Sequence, residues 1–110
     1  MTRTSAELLQ GTVDILILRA LAGEPMHGYA ISRWLDARSD GVLTVDGAAL
    51  YQALHRLAKK KWVASEWGVS ENNRKAKFYN ITAAGRTQLR AETGVWQEYA
   101  AAVSKVLKPI

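Results

Sequence analysis

Apolar residues recur at helical spacing in four stretches of the chain, and the first stretch predicts a helix from about residue 6 to Gly23. Thr4 and Glu7 have the spacing of a capping box at its start. The apolar side chains of this helix form two stripes. They are Leu9, Val13, Leu16 and Ala20 in one, and Leu8, Ile15 and Leu18 in the other. We therefore expect burial against two surfaces, and a second chain is a candidate for one of them.

Two shorter helices follow the Gly-Glu-Pro turn at residues 23–25. Apolar spacing predicts the second helix up to Arg38, and Thr44 or Asp46 is the candidate cap of the third. The buried stripe of the third helix comprises Ala49, Leu50, Ala53, Leu54 and Leu57. Its opposite face carries Ala48, Tyr51, Gln52, His55, Arg56 and Lys59. Because that face is largely polar, we expect it to be exposed.

A β-hairpin is predicted after the third helix. Residues 62–67 and 77–82 are rich in β-branched and aromatic residues, and the segment between them is polar. Asn72 and Asn73 are the expected turn, because asparagine tolerates positive φ. The tip would then hold Arg74 and Lys75, while the tryptophans at 62 and 67 are expected to pack within the hairpin.

A long helix is predicted from a Thr82 cap to Leu107, ahead of Pro109. Residues with the alternating spacing of a heptad seam run along it, namely Leu89, Thr93, Trp96, Ala100, Val103 and Leu107. At 1.5 Å per residue such a helix is roughly 38 Å long, too long to lie wholly over so small a domain. Its outer part is most simply buried by a second copy of itself. A kink or an early stop at Gly94 is the competing prediction.

Three helices followed by a hairpin is the order of a winged helix-turn-helix. We therefore predict a mostly α fold with a β-hairpin, in which residues 1–82 form a winged helix-turn-helix DNA-binding domain and residues 83–110 a dimerisation helix. Residues 51–79 hold seven basic and two acidic side chains, which accounts for the whole net charge of +5. A basic surface of this kind is a candidate footprint for a polyanion, and solvated lysines are the alternative interpretation.

The third helix would enter the major groove of DNA and the hairpin would lie on the backbone beside it. In that arrangement Ala48 meets a thymine methyl group, Gln52 reads adenine, and Arg56 or Lys59 serves phosphate or guanine. His55 is either a DNA contact or a solvated side chain. Further phosphate contacts are expected from Lys60, Arg74, Lys75 and Lys77.

Five segments in order resemble the PadR family of transcriptional regulators. They are residues 25–31, 50–57, Trp67, residues 74–79 and residues 81–85. The resemblance spans roughly residues 8 to 107 and implies a winged-helix homodimer of the short subfamily, acting as a repressor that a small effector releases. It also implies that the hydroxyls of Tyr29 and Tyr51 reach DNA phosphates. The chain departs from the family where Ala48-Ala49 replaces the usual Gly-Thr, which removes a possible capping or phosphate-binding hydroxyl.

The resemblance also implies an effector site at Trp96, where the indoles of two chains sandwich a flat aromatic compound. An indole in a heptad seam, beside the small Thr93 and Ala100, is an independent reason to expect a slot there. The alternative is that both indoles fill the space themselves. The predicted effector-binding residues are Trp96, Leu18 and Ala100. The predicted dimer interface comprises Leu8, Ile15, Leu89, Trp96, Val103 and Leu107.

Composition excludes several other classes of protein. The 110 residues, 48% apolar and 23% charged, suit one globular domain, and the longest apolar run is only five residues, so we expect neither a membrane helix nor a secretory signal. The absence of cysteine excludes a thiol nucleophile and suits the cytoplasm.

The sequence carries no catalytic motif, and His27 and His55 lack metal-ligand spacing. We therefore expect no enzyme activity, metal or cofactor, and assign His27 to capping the second helix. The predicted function is sequence-specific regulation of transcription at an inverted repeat. The alternative is a winged-helix protein-interaction module whose lysine-rich face, residues 59–61, meets an acidic partner.

Overall fold

The computed structural model describes residues 5–110, with side chains described from Gly11 onward. The helices are α1 (Ser5–Gly23), α2 (Gly28–Arg38), α3 (Gly47–Lys59) and α4 (Ala83–Leu107). The strands are β1 (Met26–His27), β2 (Val63–Val69) and β3 (Lys75–Ile81). The four predicted helices and the hairpin are therefore confirmed. The proposed capping box and the side chain of Leu8 lie outside the described residues.

A third strand joins the hairpin, so that the antiparallel sheet has the order β1-β3-β2. Met26 pairs with Tyr79 and His27 with Phe78. Both residues of β1 are buried. A two-residue strand is too short to show the alternation of apolar and polar positions by which strands are recognised, and the sequence did not predict it.

The hairpin of β2 and β3 is the wing of the fold. Its turn lies at the residues predicted from the sequence. The backbone N–H of Ser70 donates to the carbonyl oxygen of Arg74 at 2.8 Å, and Asn73 adopts a φ of +58°. Asparagine tolerates this left-handed conformation better than most residues. Lys75 opens β3 instead of standing in the turn.

The core is formed where α1, α2 and α3 meet the sheet. The predicted stripe of α3 supplies four buried residues, and α1 contributes Ile17, Leu18 and Leu21. Leu18 is only 1% exposed, so its assignment to an effector pocket is corrected: it is a core residue. The reason is that α1 packs against α2, α3, α4 and β3 of its own chain, and this packing buries Ile17, Leu18 and Leu21.

Side-chain caps set the start of three helices. Asp46 Oδ1 accepts a hydrogen bond from the N–H of Ala49 at 2.9 Å, which selects Asp46 over Thr44 as the cap of α3. Thr82 Oγ1 accepts from the N–H of Gly85 at 3.0 Å and donates to the carbonyl oxygen of Lys61 at 2.8 Å. The cap of α4 is thereby tied to the end of α3. The cap of α2 is His27, described below.

α4 is continuous through Gly94 for 25 residues, which confirms the predicted long helix and overturns the competing prediction of an early stop at Gly94. Its first turns pack on α1, with Leu89 against the core. Beyond them the helix leaves Val95, Trp96, Tyr99, Val103 and Leu107 exposed. No helix within residues 5–110 is long and apolar enough to cross a membrane.

Candidate nucleic-acid interface

The outer face of α3 presents the predicted contact residues to solvent. Ala48, Gln52, His55 and Lys59 are exposed, and Tyr51 is 53% exposed. The opposite stripe is in the core, so rotation of α3 about its own axis would expose Leu50, Leu54 and their neighbours to solvent. The burial pattern therefore holds these side chains outward.

The wing carries cations along β3. Arg74, Lys75 and Lys77 are exposed, and Lys75 Nζ lies 5.1 Å from the centre of the Trp67 ring. Trp67 is 62% exposed, so the prediction that it packs within the hairpin is wrong. Trp62, just ahead of β2, is partly buried against the core, with Lys60 Nζ 4.7 Å from its ring. Trp67 is thus an interface candidate that the sequence did not predict. The β-branched and aromatic composition of a strand does not show which of its aromatic rings is buried by other elements.

An open cleft of about 520 Å³ separates the wing from the starts of α2 and α3. It gathers side chains that are far apart in sequence. Its lining includes His27, Tyr29, Tyr51, Trp67, Arg74, Lys75 and Lys77. Five predicted contact residues therefore surround one cleft, whereas Ala48, Gln52, His55, Lys59 and Lys60 lie outside its lining.

Tyr51 closes on the start of α2 because Gly28 leaves room for it. A Cβ at Gly28 would lie 2.5 Å from Tyr51 Oη. Tyr29, next along the chain, is 63% exposed, and the Arg33 guanidinium lies 5.7 Å from its ring centre. Burial raises the pKa of the Tyr79 hydroxyl, and Tyr51 adds to the rise. Tyr79 accordingly stays a neutral donor at physiological pH.

His27 joins α2, the sheet and the wing. Its Nδ1 accepts a hydrogen bond from the N–H of Ala30 at 3.1 Å, which confirms the predicted cap. The ring packs edge-to-face on Phe78, with 5.4 Å between ring centres. Nε2 is buried and lies 3.7 Å from Glu71 Oε2 in the wing turn.

The Glu71 carboxyl is more acidic than usual. Backbone hydrogen bonding is the main cause that lowers its pKa below 4.5, and His27 adds to the lowering. A group whose pKa is lower in the folded chain stabilises the fold above its unfolded pKa, and this contribution is lost as the pH falls through the lowered value. At neutral pH Glu71 is therefore a carboxylate within the basic wing.

Arg56 differs from the other predicted contacts on α3. Its Nη2 donates to Asp14 Oδ1 of α1 at 2.8 Å, and the Arg56 side chain is 30% exposed. The spacing that put Arg56 on the polar face could not show this, because the partner is 42 residues away.

The predicted dimer and effector residues lie apart from this interface. Trp96 is 46% exposed beside Tyr99, with 5.9 Å between ring centres, and Ala100 is half-buried. Ile15 is partly buried on α1. Leu89 contacts the core of its own chain, whereas Val103 and Leu107 are exposed.

Three helices, a basic wing and an outward-facing third helix define a winged helix-turn-helix DNA-binding protein. The model of the transcriptional regulator PadR-like family matches residues 17–91. The chain belongs to this family, and it is a DNA-binding transcriptional regulator and not an enzyme.

Solved structures agree with this membership. A transcriptional regulator from Clostridium thermocellum is 26% identical, with a TM-score of 0.83, over 93% of this chain and 99% of that one. A PadR-like transcriptional regulator from Bacillus cereus is 26% identical, with a TM-score of 0.79, over 94% and 99% of the two chains. A PadR family transcriptional regulator from Eggerthella lenta is 30% identical, with a TM-score of 0.76, over 96% and 89%.

Proposed function

We propose that this protein is a homodimeric repressor that reads an inverted-repeat operator with α3 in the major groove and is released by a small planar effector. It acts in the cytoplasm on double-stranded DNA. The observation that supports the DNA-binding mode is the cleft in which cations of the wing lie around Tyr29 and Tyr51. Tyr51 belongs to α3, whose Gln52 and Lys59 are exposed outside the cleft. Groove recognition requires base-reading and phosphate-binding groups together, and the proposal assigns these roles to α3 and to the wing.

Gln52 and Lys60 should affect DNA binding differently. Gln52 is exposed on α3 and is suited to pair with N6 and N7 of adenine, so Gln52→Ala should cost about 1 to 3 kcal/mol at one base pair and relax preference there. Lys60→Ala should lower the affinity for all DNA sequences alike, because a phosphate contact carries no base preference. Binding to a selected operator and its single-base variants separates the two effects. Equal loss on every sequence for both variants would rule out base reading by Gln52.

The operator should be a near-palindrome. Two-fold symmetry of the protein requires two half-sites about one helical turn apart, so footprinting should protect an inverted repeat. On random DNA the logarithm of the affinity should fall linearly with the logarithm of the salt concentration, through release of counterions. Protection of one isolated half-site would contradict the dimeric mode. Lack of any DNA binding would favour the protein-interaction module and an acidic partner.

The effector slot is proposed between the Trp96 side chains of two chains. In the single chain Trp96 and Tyr99 are both 46% exposed. Stacking between two indoles would suit a planar ligand, with cation–π attraction if the ligand is cationic. Ala100 lies one helical turn from Trp96 and leaves space beside the indole. Leu18 is not part of this proposal, since it is in the core.

Titration with a planar dye should quench tryptophan emission, and Trp96→Ala should abolish both quenching and dye-induced release from DNA. Trp34→Phe is the control, because Trp34 lies on α2 and packs against the core beside Arg19 and Arg38. Dye binding of unchanged affinity in Trp96→Ala would show that the slot is not there.

A further inference from the structure

The ion pair between Asp14 and Arg56 connects the first helix to the recognition helix. The contact is short, 2.8 Å from Nη2 to Oδ1, and the two side chains are only 18% and 30% exposed. A charge-assisted hydrogen bond of this length, partly withdrawn from water, is directional, and removal of Arg56 leaves the Asp14 carboxylate poorly compensated. It is therefore suited to hold one helix in a defined orientation against another.

The ion pair lies where the orientation of α3 also sets the position of the proposed base-reading residue, Gln52. Arg56 follows Gln52 by four residues, so the two side chains project from neighbouring turns of the same helix. Asp14 precedes the buried residues Ile17 and Leu18 on α1, which packs against both α3 and α4. A rotation of α3 that displaced Gln52 would also stretch or break the bond to Asp14.

The charge of Arg56 is also largely neutralised where it stands. Lys59 and Lys60 on the same helix are exposed, whereas the Arg56 guanidinium is bonded to a carboxylate. A cation already paired within the protein releases few counterions from DNA, because it neutralises no phosphate. Arg56 is thus poorly placed to add to the electrostatic part of DNA affinity.

We propose that Arg56 is a positioning residue, which acts through Asp14 to set the orientation of α3 and thereby the base preference of Gln52, instead of contacting DNA itself. The proposal rests on the proposed function of α3 in reading the major groove. It assigns to Asp14, on a helix that does not enter the groove, a part in sequence discrimination.

The test compares Asp14→Asn, Arg56→Gln, Arg56→Lys and the double variant Asp14→Asn/Arg56→Gln. Each full-length protein is titrated with a duplex selected from a random pool by the unsubstituted protein, and with a random duplex of equal length, at several salt concentrations. Lys59→Gln is the matched control, because Lys59 lies on the same helix and is exposed. Circular dichroism and thermal melts identify any variant that does not fold, and Arg56→Lys retains the charge while losing the planar fork.

A positioning role predicts that Asp14→Asn and Arg56→Gln each lower the ratio of selected to random affinity by about tenfold, in line with the cost of a single lost base contact. The double variant should be no worse than the more affected single variant, because both remove the same interaction. Arg56→Lys should lose discrimination as well. The slope of log affinity against log salt should stay unchanged in all four, whereas Lys59→Gln lowers it by about 1.8, that is about 0.9 for each protomer of the proposed dimer.

A phosphate contact by Arg56 would give the opposite pattern and overturn the proposal. Arg56→Gln would then lower the salt slope by about 1.8, that is about 0.9 for each protomer of the proposed dimer, and Arg56→Lys would bind nearly as the unsubstituted protein does. Failure of the unsubstituted protein to select any duplex would overturn the proposed function together with this inference. Normal selection with an altered salt slope would overturn the role of the pair alone.

Discussion

Val103→Glu/Leu107→Glu should convert the proposed dimer into a monomer. Both positions lie on the heptad seam of α4, where Val103 is 37% and Leu107 is 75% exposed in the single chain. Four carboxylates in the seam of the dimer would be buried without partners, and such charges are strongly destabilising. Analytical ultracentrifugation at fixed protein concentration measures the change.

Loss of the proposed dimer should also lower the affinity for DNA. Each half-site is then bound independently, and loss of the linkage between two binding modules costs about a hundredfold or more. The matched control is Ala101→Glu/Ala102→Glu, which adds the same charge at exposed positions of α4 outside the seam. An unchanged dimer in the seam variant would place the interface elsewhere, and dissociation of the control as well would mean that net charge, not the seam, is responsible.

Gly85→Ala should destabilise the fold strongly. A Cβ at this buried position in the first turn of α4 would overlap the carbonyl oxygen of Trp62 and lie 2.8 Å from Ile81 Cγ1. The oxygen cannot give way freely, because it accepts a hydrogen bond from the N–H of Thr82 at 3.0 Å. We expect a loss of about 3 kcal/mol in the free energy of unfolding, at the upper end for overpacking.

Thermal melts and urea unfolding at fixed protein concentration measure this loss, which should lower Tm by more than about 10 °C. Gly94→Ala provides the control in the same helix. A Cβ at Gly94 meets nothing within 4 Å, so alanine should raise stability by up to about 1 kcal/mol through helix propensity. Equal effects of the two substitutions would show that close approach to Trp62 does not explain Gly85.

The recognition helix could be predicted almost fully from sequence because its determinants are local. The stripe of Leu50, Ala53, Leu54 and Leu57 repeats at helical spacing, so the residues between them had to face outward. The side chain of Asp46 caps α3 by accepting a hydrogen bond from the N–H of Ala49, three residues later in the chain. Asn73 adopts the positive φ within its own turn. Each of these features depends only on residues close together in the sequence.

Features that depend on distant partners were not predicted. β1 exists because Met26 and His27 pair with Tyr79 and Phe78, more than fifty residues further along. Leu18 was assigned to an effector pocket, yet the packing of α1 against the rest of its chain buries it in the core. The same limitation applies to Trp67, whose exposure depends on what the sheet packs against.

The sequence by itself therefore determined the helices, the wing turn, the polar face of α3, the long α4 and the resemblance to a regulator family. Only the tertiary structure decided that the wing and two tyrosines surround one cleft, that Glu71 meets His27, and that Arg56 is bonded to Asp14. The physical reason is that periodicity records which side of an element is apolar, whereas the identity of a partner depends on how the elements pack together.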